Sequence, residues 1–151
     1  MESRAILLVE DDPDDILLLR RAFEKFELTG NMQVVENGED AVAYLSGKGR
    51  YSDRDTHPAP CLVLLDLSLP RLSGFEVLQW LRKQPDLGLL PVVVLTSSKD
   101  QGDIDRAYGL GANSYLLKTP DLNGTVDVAK IVDRYWVVLN RKPSACLSGS
   151  V

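Results

Sequence analysis

Apolar runs and helical patterns alternate along the chain. Ala5-Ile6-Leu7-Leu8-Val9 is an unbroken apolar run ending in acids, which suits a strand buried on both faces. A helical pattern starts at Asp12, with Pro13 in the first turn, where its missing N–H costs nothing. Its apolar stripe is Ile16, Leu19, Phe23 and Phe26, and Thr29-Gly30-Asn31 ends it. Residues 32–35 read as a second strand, Asn37-Gly38 as a turn and 39–45 as a short helix. The polar stretch 46–60, with Gly47, Gly49, Pro58 and Pro60, is predicted to be a long surface loop. Strands follow at 61–65, 91–95 and 114–117, and helices at 75–83 and 100–110. A last helix runs from Asp121 or Leu122 to Leu139, and 141–151 reads as a frayed tail. Five apolar runs alternating with five helices predict an α/β, doubly wound, five-stranded parallel sheet.

Composition narrows the function classes. The 151 residues suit one domain, with 44% apolar and 26% charged residues as in globular chains. The formal charge of −5 argues against a nucleic-acid-binding module, which needs a basic face. Cys61 and Cys146 cannot form a disulfide framework or a zinc site, and read as one buried thiol and one in the tail. The N-terminal apolar run is too short for a signal-peptide core and no stretch approaches a membrane span, so a cytoplasmic protein with no membrane partner is expected. His57 has no second ligand or base beside it and reads as a surface residue.

Function in such a fold collects at the carboxyl ends of the strands. There the sequence places Glu10, Asp11 and Asp12, then Asp66, then Thr96 and Ser97, then Lys118. Three carboxylates, Glu10, Asp11 and Asp66, would converge on one rim. Two such charges about 4 Å apart repel by roughly 4 kcal/mol at an effective dielectric of 20, so the group must take up protons or bind a cation. All-oxygen ligands suit Mg²⁺. A Thr hydroxyl and a Lys ammonium facing them form a receptor for a tetrahedral oxyanion, and a carboxylate can attack phosphorus. The rim therefore reads as an aspartyl-phosphate site with Asp66 as acceptor. Asp12 reads as the cap of the following helix.

These pieces resemble the receiver domain of bacterial two-component response regulators. The resemblance is carried by Ile6-Leu7-Leu8-Val9-Glu10-Asp11-Asp12, by Leu64-Leu65-Asp66-Leu67-Ser68-Leu69-Pro70 with Gly74, by Pro91-Val92-Val93-Val94-Leu95-Thr96-Ser97, and by Gly111-Ala112-Asn113-Ser114-Tyr115-Leu116-Leu117-Lys118. It implies a flavodoxin-like sheet in the order 2-1-3-4-5. It also implies that Asp66 takes its phosphoryl group from a sensor histidine kinase, and that the chain is a phosphoacceptor signalling protein rather than an enzyme. Asp11 would bind Mg²⁺ directly, Glu10 would act through water or hydrogen bonds, and the Ser68 backbone carbonyl would be a third metal ligand. Thr96 and Lys118 would grip the phosphoryl oxygens, and Tyr115 would be the switch aromatic. One position departs from the family. Receivers usually place a cis proline after the lysine, whereas here Thr119 stands there and Pro120 comes one later, so the Lys118–Thr119 bond is either cis or trans with a rearranged loop.

The resemblance divides the chain into a receiver domain at 1–139 and a C-terminal tail at 140–151, expected to be flexible. The tail is too short for an output domain, so output is expected to pass through protein contacts. In the last helix Val128, Ile131, Val132, Tyr135 and Leu139 share an arc and are expected to pack on the sheet, with Trp136 at its edge and Val137 opposite. A homodimer through helix four, strand five and helix five is therefore expected, using Trp136, Val137 and Tyr108. The 46–60 loop and the Tyr135-Trp136 ending also resemble single-domain regulators paired with bacterial phytochromes, which implies a light-sensing kinase partner. Two alternatives remain open. A haloacid-dehalogenase-type phosphatase would want an acid two residues after its nucleophile, where this chain has Ser68; a phosphorylation-independent scaffold would not need the intact rim.

Overall fold

The computed structural model describes residues 3–144. Cys146 and the rest of the predicted tail beyond Ser144 lie outside the described residues. Five parallel strands, β1 (Ala5–Val9), β2 (Asn31–Val35), β3 (Leu62–Leu65), β4 (Val92–Thr96) and β5 (Ser114–Leu117), form one sheet in the order β2-β1-β3-β4-β5. Five helices connect and cover them: α1 (Pro13–Lys25), α2 (Gly38–Ser46), α3 (Gly74–Arg82), α4 (Gln101–Gly109) and α5 (Leu122–Ile131). The predicted architecture is the observed one.

Strand alternation sorts the core into two layers. Leu7, Val9, Val63, Leu65, Val92 and Val94 face α2, α3 and α4, while Ile6, Leu8, Leu62, Leu64, Val93 and Leu95 face α1 and α5. Asp12 caps α1 by accepting from the Asp14 amide, as its position predicts. Phe26 is not in the α1 core stripe; it is the C-cap and exposed, covered by the Lys130 ammonium 4.1 Å from its ring centroid. The 46–60 connection is not a plain surface loop. It contains a 3₁₀ turn (Gly49–Tyr51) and folds around buried Tyr51, with half-buried His57 edge-on to the Tyr44 and Tyr51 rings at 5.9 and 5.1 Å.

The last helix corrects the predicted packing stripe. After α5 the chain continues in π-helical winding over Val132–Leu139. The inward face carries small residues first, Thr125 and Ala129, then Val132 and, five residues on, Val137. The π winding, with its i→i+5 hydrogen bonds, turns less per residue than an α-helix, so Val137 (4% exposed) is carried onto the sheet rather than away from it. Ile131 (60%), Tyr135 (53%) and Leu139 (54%) are exposed instead, and Trp136 is half-buried. Asp133, also buried, holds this register by accepting from the Thr29 and Gly30 amides at 3.0 and 2.6 Å.

Candidate functional site

Parallel register brings the strand ends to one rim. Val9 pairs with Leu65, Leu65 with Val94, and Thr96 with Leu117. Backbone bonds then extend the ladder one residue further: Glu10 N–H to Val35 O at 3.0 Å, Asp66 N–H to Val9 O at 3.1 Å, and Lys118 N–H to Thr96 O at 2.8 Å. Glu10, Asp66 and Lys118 are thus set by the sheet rather than by mobile loops.

Lys118 is the hub. Its Nζ lies 2.6 Å from Glu10 Oε1, 2.9 Å from Asp15 Oδ2 and 3.0 Å from Asp66 Oδ2. Burial alone would lower its pKa, but the hydrogen bonds to Glu10, Asp15 and Asp66 outweigh it, so the ammonium is held charged above its ordinary range. Glu10 is buried, and its second oxygen accepts from the Asp11 and Asp12 amides at 3.0 and 3.1 Å. Burial pushes the Glu10 carboxyl up to about 7, the Lys118 hydrogen bond opposes this, and the Asp66 charge adds to it. Asp66, also buried, accepts from the Ser68 amide at 3.3 Å on Oδ1.

Glu10, Asp11 and Asp66 each offer a carboxylate oxygen within 4.8 Å of the others. An ion binding oxygens at about 2.1–2.5 Å separates opposite ligands by at most about 4.2–5.0 Å, so the cluster fits a hard divalent cation. Both Glu10 oxygens are taken by hydrogen bonds, whereas the exposed Asp11 side chain bonds to none of the described residues.

Thr96 is buried at the end of β4, next to Lys118 in the ladder. Tyr115 is half-buried on β5, its hydroxyl donating to the Ser98 carbonyl at 2.9 Å. The Lys118–Thr119 peptide is trans, since no peptide among the described residues is cis. The Thr119 side chain fills the space above Gly124, where a Cβ would collide with it. Tyr108 is exposed on α4, but Val137 faces the core and cannot serve an interface. The sequence does not mark Asp15 as part of the site. An acid in a first helical turn is already explained by the helix dipole, so the sequence carries no signal of its contact with Lys118.

Residues 6–130 match the response regulator receiver domain family. This chain belongs to that family. It is a response regulator receiver domain, a signalling module of two-component systems. It is 40% identical over 141 residues to the probable methanogenesis regulatory protein FilR2 of Methanothrix harundinacea, covering 91% of this chain and 86% of that one. It is 34% identical over 142 residues to response regulator Rcp1 of Synechocystis sp., covering 94% and 95%. The Mn²⁺-bound crystal structure of Rcp1 superimposes with a TM-score of 0.81 over 92% of this chain and 98% of that one. The phosphorylated cyanobacterial phytochrome response regulator RcpA, 34% identical, superimposes with a TM-score of 0.85 over 93% and 99%. Among the described residues no helix is long and apolar enough to cross a membrane.

Proposed function

We propose that the chain accepts a phosphoryl group on Asp66 from the phosphohistidine of a sensor histidine kinase in the cytoplasm, with Mg²⁺ as cofactor, and signals through protein contacts. The observation that carries this reading is the convergence of Lys118 and the Glu10–Asp11–Asp66 oxygens at one buried carboxylate. An Asp66 oxygen bonds to phosphorus as the kinase's N–P bond breaks, and that bond's electron pair remains on the imidazole nitrogen. Asp11, Asp66 and the Ser68 backbone carbonyl would hold Mg²⁺, with Glu10 acting through water, and the ion would supply positive charge beside the transferring group. Lys118 follows the charge from the Asp66 carboxylate to a phosphoryl oxygen, and the Thr96 hydroxyl donates to another. Thr96 and Tyr115 then transmit the change, with different contacts in the two states shifting the population between them.

The likeness to Rcp1 and RcpA over nearly the whole chain supports a phytochrome-type, light-sensing kinase as partner. The exposed Tyr108, Ile131, Tyr135 and Leu139, with Trp136 beside them, support a homodimer across α4, β5 and the C-terminal helix.

Incubation with phosphoramidate and Mg²⁺, read by intact mass, tests the reading. It predicts a gain of about 80 Da that Asp66→Asn abolishes. A wild type that never labels would instead favour a phosphorylation-independent scaffold.

A further inference from the structure

Asp15 has no part in the chemistry above, yet it touches its central cation. It stands in the first turn of α1, where an acid ordinarily faces water and is explained by the helix dipole. Here the side chain is 27% exposed and turns to Lys118, itself 14% exposed, at 2.9 Å. A lysine ammonium has three N–H donors. Glu10, Asp15 and Asp66 provide three carboxylate partners, so the head group is fully committed to groups from three separate elements.

The stem of Lys118 is not closely packed on every side. A cavity of about 20 Å³ lies beside it between α1 and α5, bounded by Glu10, Asp15, Leu19, Lys118, Thr119 and Val128. That is room for about one water. On the backbone side, Lys118 is tied by its N–H to Thr96 and followed by a trans peptide. Where the ammonium points is therefore decided at its head.

The three carboxylates differ in what the reaction asks of them. Asp66 becomes an acyl phosphate and loses most of its hold on Lys118, and Glu10 would also serve the metal through water. Asp15 has neither duty. We infer that Asp15 is the positioning residue that keeps the Lys118 ammonium over Asp66 before and after phosphoryl transfer. The inference rests on the reading of Asp66 as phosphoacceptor.

The test follows phosphoramidate labelling of the full chain by mass at saturating Mg²⁺. Asp15→Asn slows labelling about tenfold, the size expected when one charge-assisted hydrogen bond is lost from a positioned group. Asp15→Glu, which keeps the charge, recovers the rate to within about threefold of wild type. In a Lys118→Met background Asp15→Asn costs nothing further, because the residue acts through the lysine. The half-saturating Mg²⁺ concentration moves by less than about twofold. Equal labelling of wild type and Asp15→Asn overturns the inference and leaves the phosphoacceptor reading standing. The same penalty with and without Lys118, or a parallel loss of Mg²⁺ affinity, also overturns it. A wild type that does not label removes both readings.

Discussion

Tyr115 donates its hydroxyl to the Ser98 carbonyl at 2.9 Å, which fastens the edge strand β5 to the loop leaving Thr96 for α4. Burial raises the phenol above its ordinary pKa, the bond to Ser98 opposes this, and it remains a donor at neutral pH. Tyr115→Phe should lower the unfolding free energy by about 1 kcal/mol in urea titration, one neutral hydrogen bond's worth. Labelling of Asp66 should stay within about twofold, because the lost bond does not touch the acceptor.

Gly74 opens α3 directly against the backbone that carries the acceptor. A Cβ there would collide with the Asp66 carbonyl oxygen and lie 2.7 Å from Leu67 Cα, and neither atom can rotate aside. Gly74→Ala should cost about 1–3 kcal/mol and slow labelling as well, since the backbone must shift Asp66 away from Lys118. Gly109, where a Cβ would meet nothing within 4 Å, is the control. There Gly→Ala should be neutral or stabilise by up to about 1 kcal/mol.

Glu10 gives the site a pH dependence of definite sign. Burial, opposed by Lys118 and aided by Asp66, lifts it from 4.5 to about 7. Between those values the folded chain holds a proton that the unfolded chain has released. Its contribution to metal-free stability therefore falls as pH rises through that window. Mg²⁺ favours the ionised form, so its stabilising effect in thermal melts should be larger at about pH 7.5 than at about pH 5. Equal Mg²⁺ stabilisation at both values would contradict this assignment.

The π winding of the C-terminal helix predicts a contrast between neighbours. Val137→Ala empties part of the core and should cost about 2 kcal/mol. Tyr135→Ala and Ile131→Ala should change monomer stability by less than about 0.5 kcal/mol, yet weaken self-association in analytical ultracentrifugation.

What could be read from the sequence, and what could not, follows from how each residue is placed. Glu10, Asp66, Thr96 and Lys118 were legible because unbroken apolar runs end at them, and parallel strands deliver such endings to one rim. Asp15 was hidden because its identity already suits a helix start, so its inward turn leaves no pattern. The inward face of the last helix was hidden for another reason. Bulky Ile131, Tyr135 and Leu139 looked like core, but close packing of the helix on the sheet selects Thr125 and Ala129, and π winding then advances to Val137. Arg82 was equally silent. It binds the carbonyls of Gly88, Leu90 and Gly111 and the Asn113 side chain, tying α3 to the approaches of β4 and β5, and a lone helical charge carries no signal of that.

Borohydride reduction of the phosphoramidate-treated chain, followed by peptide mapping, locates the phosphoryl group, because it converts an acyl phosphate to an alcohol at the modified position. Reduction should occur at Asp66 alone, depend on Mg²⁺ and be abolished by chelation. Reduction at Asp11, Asp15 or Glu10 instead, or labelling that persists with the metal removed, would contradict the reading of Asp66 as phosphoacceptor.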